Sequence, residues 1–122
     1  MALTSLDHIN IFTDDLDETV AFYEGLLGME SRPKPSGRPG AWLYVEGRAV
    51  VHVNMVDERN PAAPANLNHA AFTATDLDAT IAALSAAGVE HEVVARPALG
   101  ATLVNCHDPN GIPIELVIPL DG

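Results

Sequence analysis

Four residues carry the side chains best suited to chemistry: His8, His52, His69 and Glu115. Each stands in a short apolar stretch: HINIF, VVHVN, HAAFT and IPIELVI. Alternate residues of a strand share one face. His8 would then share a face with Asn10 and Phe12, and His52 with Val50 and Asn54. His69 would sit with Ala71 and Thr73, and Glu115 with Pro113 and Val117. The residues of opposite parity are Ile9, Ile11, Val51, Val53, Met55, Ile114, Leu116 and Ile118, nearly all large and apolar. Each stretch thus reads as a strand with one packed face and one face bearing a ligand-type residue. Taken singly, each is an ordinary hydrogen-bonded strand residue on a wet face. Taken together they point to a divalent metal centre. Imidazole and carboxylate donors suit Zn, Ni, Co, Mn or Fe rather than Ca or Cu(I).

The remaining reactive residues offer less. His91 lies between two glutamates and reads as exposed, and His107 reads as a loop residue before the DPNG turn. Cys106 is the only cysteine, which excludes an internal disulfide and a thiolate cluster and fits a reducing cytoplasm. No Ser-His-Asp order, phosphate-cradling glycine loop or zinc-finger spacing occurs. Six basic residues face seventeen acidic ones, for a net charge of -11. That balance argues against nucleic acid or an anionic membrane as the partner. Neither a run of about 20 apolar residues nor a secretory signal is visible. Arg32, Lys34 and Arg38 cluster in one loop-like stretch. They read either as a solvated loop or as a local attraction for an anionic substrate. Trp42, Tyr44, Asn10 and Asn54 are candidate substrate-pocket liners, with ordinary sheet roles as the alternative.

The elements that position these residues occur twice. LDHINIFTDDLDET, from Leu6, matches LNHAAFTATDLDAT, from Leu67, at one constant offset. After a one-residue slip, Gly28 and Glu30 fall on Gly88 and Glu90. Gly40, Ala41 and Leu43 then fall on Gly100, Ala101 and Leu103, and a small insertion in the second hairpin places His52 opposite Glu115. Each copy reads as a strand, a helix and three strands. Asp14 or Asp15, and Thr75 or Asp76, stand where a helix N-cap belongs, with Gly28 and Gly88 as stops. Glu46-Gly47 and the DPNG segment supply the last hairpin turns. The fold class is therefore α+β: two βαβββ modules, residues 1–57 and 67–122, joined by a Pro/Ala/Asn-rich linker at 58–66. Side by side, or swapped between chains, two modules could form one curved mixed sheet with helices outside.

LDHINIFTDDLDETVAFYEGLLGME, LNHAAFTATDLDATIAALSAAGVE and NCHDPNGIPIELVIP resemble the module signatures of the vicinal oxygen chelate superfamily. That superfamily groups glyoxalase I, methylmalonyl-CoA epimerase, fosfomycin-resistance transferases, extradiol dioxygenases and bleomycin-binding proteins. The resemblance covers essentially the whole chain. It implies that His69 and Glu115 are metal ligands and that His8 is a third. His52 stands where glyoxalases and epimerases carry Glu or Gln, so it reads as ligand, catalytic base or pocket liner. The implied activity is a glyoxalase- or epimerase-like lyase or isomerase acting on a small substrate with two chelating oxygens, with Glu115 or His52 moving the proton. The alternatives are an extradiol-type dioxygenase using His8, His69 and Glu115, and a metal-free drug-binding protein. A fosfomycin-type transferase would need more cations than the second half carries. The resemblance also implies a homodimer.

Overall fold

The computed structural model describes residues 1, 6, 8–35, 37–58 and 69–120. The linker expected at 58–66 lies outside these residues, apart from Glu58. The chain divides into two units, Met1–Asn60 and Pro61–Gly122.

In the first unit the order is β1 (Ile9–Thr13), α1 (Leu16–Val20) with a π-helical continuation (Ala21–Leu26), β2 (Glu30–Pro33), β3 (Gly40–Val45) and β4 (Arg48–Met55). The strands form one four-stranded sheet ordered β1-β4-β3-β2, with β1 parallel to β4 and the other pairs antiparallel. The second unit repeats this plan. It runs β5 (Ala70–Thr73), α2 (Leu77–Ala86), β6 (Glu92–Arg96), a short 3-10 turn (Pro97–Leu99), β7 (Ala101–His107) and β8 (Pro113–Pro119). Its sheet is ordered β5-β8-β7-β6.

Local chemistry explains the boundaries. Asp15 caps α1 by accepting the Glu18 N–H at 3.0 Å, and Asp76 caps α2 by accepting the Ala79 N–H at 3.0 Å. Gly28 and Gly88, at φ 79 and 70, end the helices in the left-handed region open to glycine. Glu46 and Gly47 both take positive φ, as a two-residue turn between β3 and β4 requires. Thr13, fully buried, accepts the Asp15 N–H at 3.0 Å and the Thr19 hydroxyl at 3.0 Å, tying β1 to the helix that follows.

The packed face matches the parity argument. Ile11, Val51, Val53, Ile114, Leu116 and Ile118 are buried, while Ile9 and Met55 are half-buried. Helix α1 packs against β3 and β4, and its continuation turns Phe22 and Tyr23 inward. In the second unit α2 buries Leu84.

Two details depart from the sequence reading. The helical spacing from Leu16 to Leu27 suggested one α-helix, yet its second half is π-helical. This accounts for the one-residue slip between the copies. The Met29 N–H donates to the Tyr23 carbonyl, and the Val89 N–H donates to the Leu84 carbonyl, both at 2.9 Å. These bonds are equivalent, but the first spans one residue more. A π turn takes up the extra residue. The second departure is in the hairpins. Trp42 pairs with His52 and Asn105 with Glu115, so Trp42 corresponds to Asn105, and Gly40 to Leu103 rather than to Gly100. The extra length of the second copy lies in its β6–β7 hairpin.

Two outcomes check this packing. Leu84→Ala should destabilise the protein by about 2–5 kcal/mol in urea unfolding, since it empties a buried site. Cys106 is buried, and desolvation followed by the Asp108 charge raises its thiol pKa. The folded protein should therefore resist thiol alkylation at neutral pH, whereas urea-unfolded protein should react within minutes.

Candidate functional site

The site residues fall into two pairs, one in each unit. In both, the parallel pairing of the opening and closing strands sets the register. Asn10 stands opposite His52 across β1 and β4, and Ala71 opposite Glu115 across β5 and β8. Asn10 and Ala71 are equivalent in the sequence repeat, so His52 and Glu115 occupy equivalent places. His8 and His69 each come immediately before their strand.

In the second unit, His69 Nε2 lies 3.5 Å from Glu115 Oε2, on the face opposite the buried Ile114 and Leu116. The two side chains keep 45% and 26% of their surface exposed, so a ligand can reach both. Two donors each 2.0–2.2 Å from one ion can stand no more than about 4.3 Å apart. The observed spacing meets that limit. Asn105, the register partner of Glu115 on β7, belongs to the same row. Sequence reasoning missed it; the NCHDPNG motif that contains it was the available signal.

The first unit is arranged differently. The imidazoles of His8 and His52 stack, with centroids 3.8 Å apart and planes 11° from parallel. The Trp42 ring stacks on His52 with centroids 4.1 Å apart, also at 11°. His52 is thus sandwiched between Trp42 and His8. Imidazole lone pairs lie in the ring plane, so two stacked, near-parallel rings cannot both hold one ion in their planes. Turning His8 toward an ion leaves the Trp42–His52 stack intact; turning His52 breaks both stacks. The structure brings both histidines together. Within either unit, the described residues hold no group of three or more His, Cys, Asp or Glu side chains arranged to bind an ion.

The expected pocket liners lie on this same face. Asn54 Nδ2 donates to Asn10 Oδ1 at 2.6 Å, and Lys34 Nζ donates to Asn54 Oδ1. The Arg32 guanidinium lies 4.4 Å over the Tyr44 ring and pairs with Glu30 at 3.0 Å. That hydrogen bond, followed by the charge, lowers the Glu30 carboxyl pKa. Of the three clustered bases, Arg32 is therefore charge-balanced. Arg38 donates to the Met55 carbonyl at 3.2 Å and lies 5.9 Å from the Phe12 ring centre.

Two control histidines differ from expectation. His91 is half-buried rather than exposed, with Nδ1 2.9 Å from the Val89 carbonyl. His107 is the last residue of β7, paired with Pro113, and not a loop residue. Cys106 is buried in β7, as its position suggested.

Comparison with known proteins agrees with this architecture. The family described as the Glyoxalase/Bleomycin resistance protein/Dioxygenase superfamily matches residues 5–116. Glyoxylase I 4 of Arabidopsis thaliana is 27% identical over 136 residues, covering 98% of this chain and 78% of the relative. The glyoxylase/bleomycin resistance protein/dioxygenase domain from Frankia sp. EAN1pec superposes with a TM-score of 0.79 at 19% identity, covering 99% of this chain and 96% of that one. The fosfomycin resistance protein FosX from Listeria monocytogenes superposes with a TM-score of 0.74 at 22% identity, covering 96% and 94%. At those identities the two structures speak for the fold alone. The family match spans nearly the whole chain, and the chain belongs to the Glyoxalase/Bleomycin resistance protein/Dioxygenase superfamily.

Proposed function

We propose that this protein is a metal-dependent lyase or isomerase of the glyoxalase or epimerase kind, acting on a small substrate with two adjacent oxygens. The observation that carries this reading is the His69–Glu115 pair, an imidazole and a carboxylate 3.5 Å apart on an open sheet face. His69 and Glu115 would hold a divalent ion such as Zn, Ni, Co, Mn or Fe, with His8 as a third ligand. Such an ion would supply Lewis-acid polarisation of the substrate oxygens. Glu115 is the first candidate for the proton acceptor. A carboxylate that loosens its hold on the ion can reach a substrate carbon. His52, kept in place by Trp42 on one side and His8 on the other, is the second candidate base and otherwise a pocket wall.

The stack also favours a second reading. If His52 stays in it, the protein supplies three ligands. An octahedral ion then keeps three positions, enough for a catechol and O2 in an extradiol-type dioxygenase. The oxygen requirement separates the two readings.

We further propose a homodimer, in which the ligand pairs of the two units complete each other within one chain or across two. No helix among the described residues is long and apolar enough to cross a membrane. Together with the lone buried thiol, this supports the cytoplasm as the setting.

Three results are expected. Elemental analysis should find about one transition metal per chain. His69→Ala and Glu115→Ala should lose it, while His91→Ala and His52→Ala should keep it. Equal metal in all four variants would overturn the ligand assignment. Anaerobic assays should show solvent-deuterium exchange or isomerisation of 2-hydroxycarbonyls or 2-oxoaldehyde thiol adducts. Activity that needs both Fe(II) and O2, with a yellow catechol product, would favour the second reading. Mixing His8→Ala with Glu115→Ala chains should restore metal binding if the sites are shared between chains.

A further inference from the structure

One side-chain relay on the first unit's sheet has a direction that its chemistry fixes. Lys34 is an ammonium and can only donate. It donates to the Arg38 carbonyl at 2.8 Å and to Asn54 Oδ1. With its oxygen committed to the lysine, the Asn54 amide must present its nitrogen elsewhere, and Nδ2 donates to Asn10 Oδ1. The oxygen of Asn10 is then committed as well. Its Nδ2 carries two N–H groups that the relay does not use. Lys34 thus sets the orientation of both amides. What the row offers to a ligand is donors: the amide N–H groups of Asn10, the second N–H of Asn54 and the third N–H of the ammonium.

Charge and position add to this. Both oxygens that Lys34 contacts are neutral, so its positive charge is not balanced there. Gly37 lies beside it: a Cβ there would come 3.2 Å from Nζ. In a chain of net charge -11, this places a cation and a row of N–H donors together. The row lies on the face that carries His52 and Trp42. Trp42 and Asn10 both pair with His52, from either side.

We propose that Lys34, Asn54 and Asn10 form an oxyanion-binding array that takes the carboxylate of a small substrate, such as a 2-oxo or 2-hydroxy acid. A planar carboxylate accepts up to four hydrogen bonds, and charge-assisted ones are the strong kind. The proposal rests on the reading of this face as a substrate site, but it does not depend on the metal.

Trp42 is the only tryptophan and lies beside the array, so its fluorescence reports binding there. The test titrates the purified protein with pyruvate and, in parallel, with hydroxyacetone, a neutral analogue of similar size. Pyruvate should shift the Trp42 emission and the Asn10 and Asn54 side-chain amide resonances; hydroxyacetone should shift neither. Lys34→Met should weaken pyruvate at least about tenfold, the scale of one lost charge-assisted bond. Asn10→Asp is the sharper variant. Its carboxylate can still accept from Asn54 but replaces the two free N–H groups by a negative oxygen, and it too should weaken pyruvate about tenfold or more. If Lys34→Met does not fold, Asn10→Asp decides alone. His91→Ala, outside both sets of residues, should leave pyruvate affinity unchanged, and the metal content of Asn10→Asp should equal that of the wild type, so loss of metal and loss of the array are read separately. No pyruvate binding, equal binding of hydroxyacetone, or an affinity indifferent to Asn10→Asp would overturn the proposal.

Discussion

The parallel pairing of the first and last strands of each unit is the constraint on which the site depends. A strand has a side-chain period of two, so a register that buries Ile11, Val51 and Val53 leaves Asn10, His52 and Asn54 on the other face. The same holds for Ile114 and Leu116 against Glu115. A slip of one residue would turn every polar group into the core and every branched apolar side chain into water. Hydrophobic burial, not any attraction among the polar residues, therefore holds the candidate ligands in place. Thr13, at the end of β1, accepts from the buried Thr19 of the helix that follows, and an aspartate caps each helix.

Duplication of one plan has not made the two faces alike. The second unit's face carries an acid beside an imidazole and reads as a place to hold a cation. The first unit's face carries stacked rings and a lysine-led row of amides and reads as a place to receive a molecule. The equivalent positions His52 and Glu115 show the divergence most directly. One is packed between two rings; the other is a partly exposed carboxylate within reach of His69.

Much of this was legible in the sequence because period-two alternation and N-cap chemistry are local signals. The eight strands, both capped helices and the buried parity all follow from them. So does the equivalence of His52 and Glu115, which the register bears out. What local signals could not supply was geometry set by neighbours. Matching Gly40 to Gly100 by identity misplaced the extra hairpin length, because the two glycines serve different ends: Gly40, in β3, leaves room for the Val53 carbonyl, and Gly100 takes a positive φ in the turn before β7. The stacking of His52 on Trp42 depends on a cross-strand pairing that the residue types do not reveal. Lys34 was visible only as one of three clustered bases. Its distinction from Arg32 comes from Glu30, which balances the arginine and not the lysine.

The π turn in the first helix has a consequence for how such a chain can change in length. One added codon in an α-helix rotates everything downstream by about 100° and would carry Leu26 and Met29 off the core side. Widening one turn absorbs that rotation locally, so Met29 and Val89 remain equivalent although the numbering between the copies has shifted by one. The helix thus behaves as a phase buffer. Insertions there need not be compensated by a matching deletion elsewhere, and the angular bookkeeping of the fold survives a change that would scramble an uninterrupted helix.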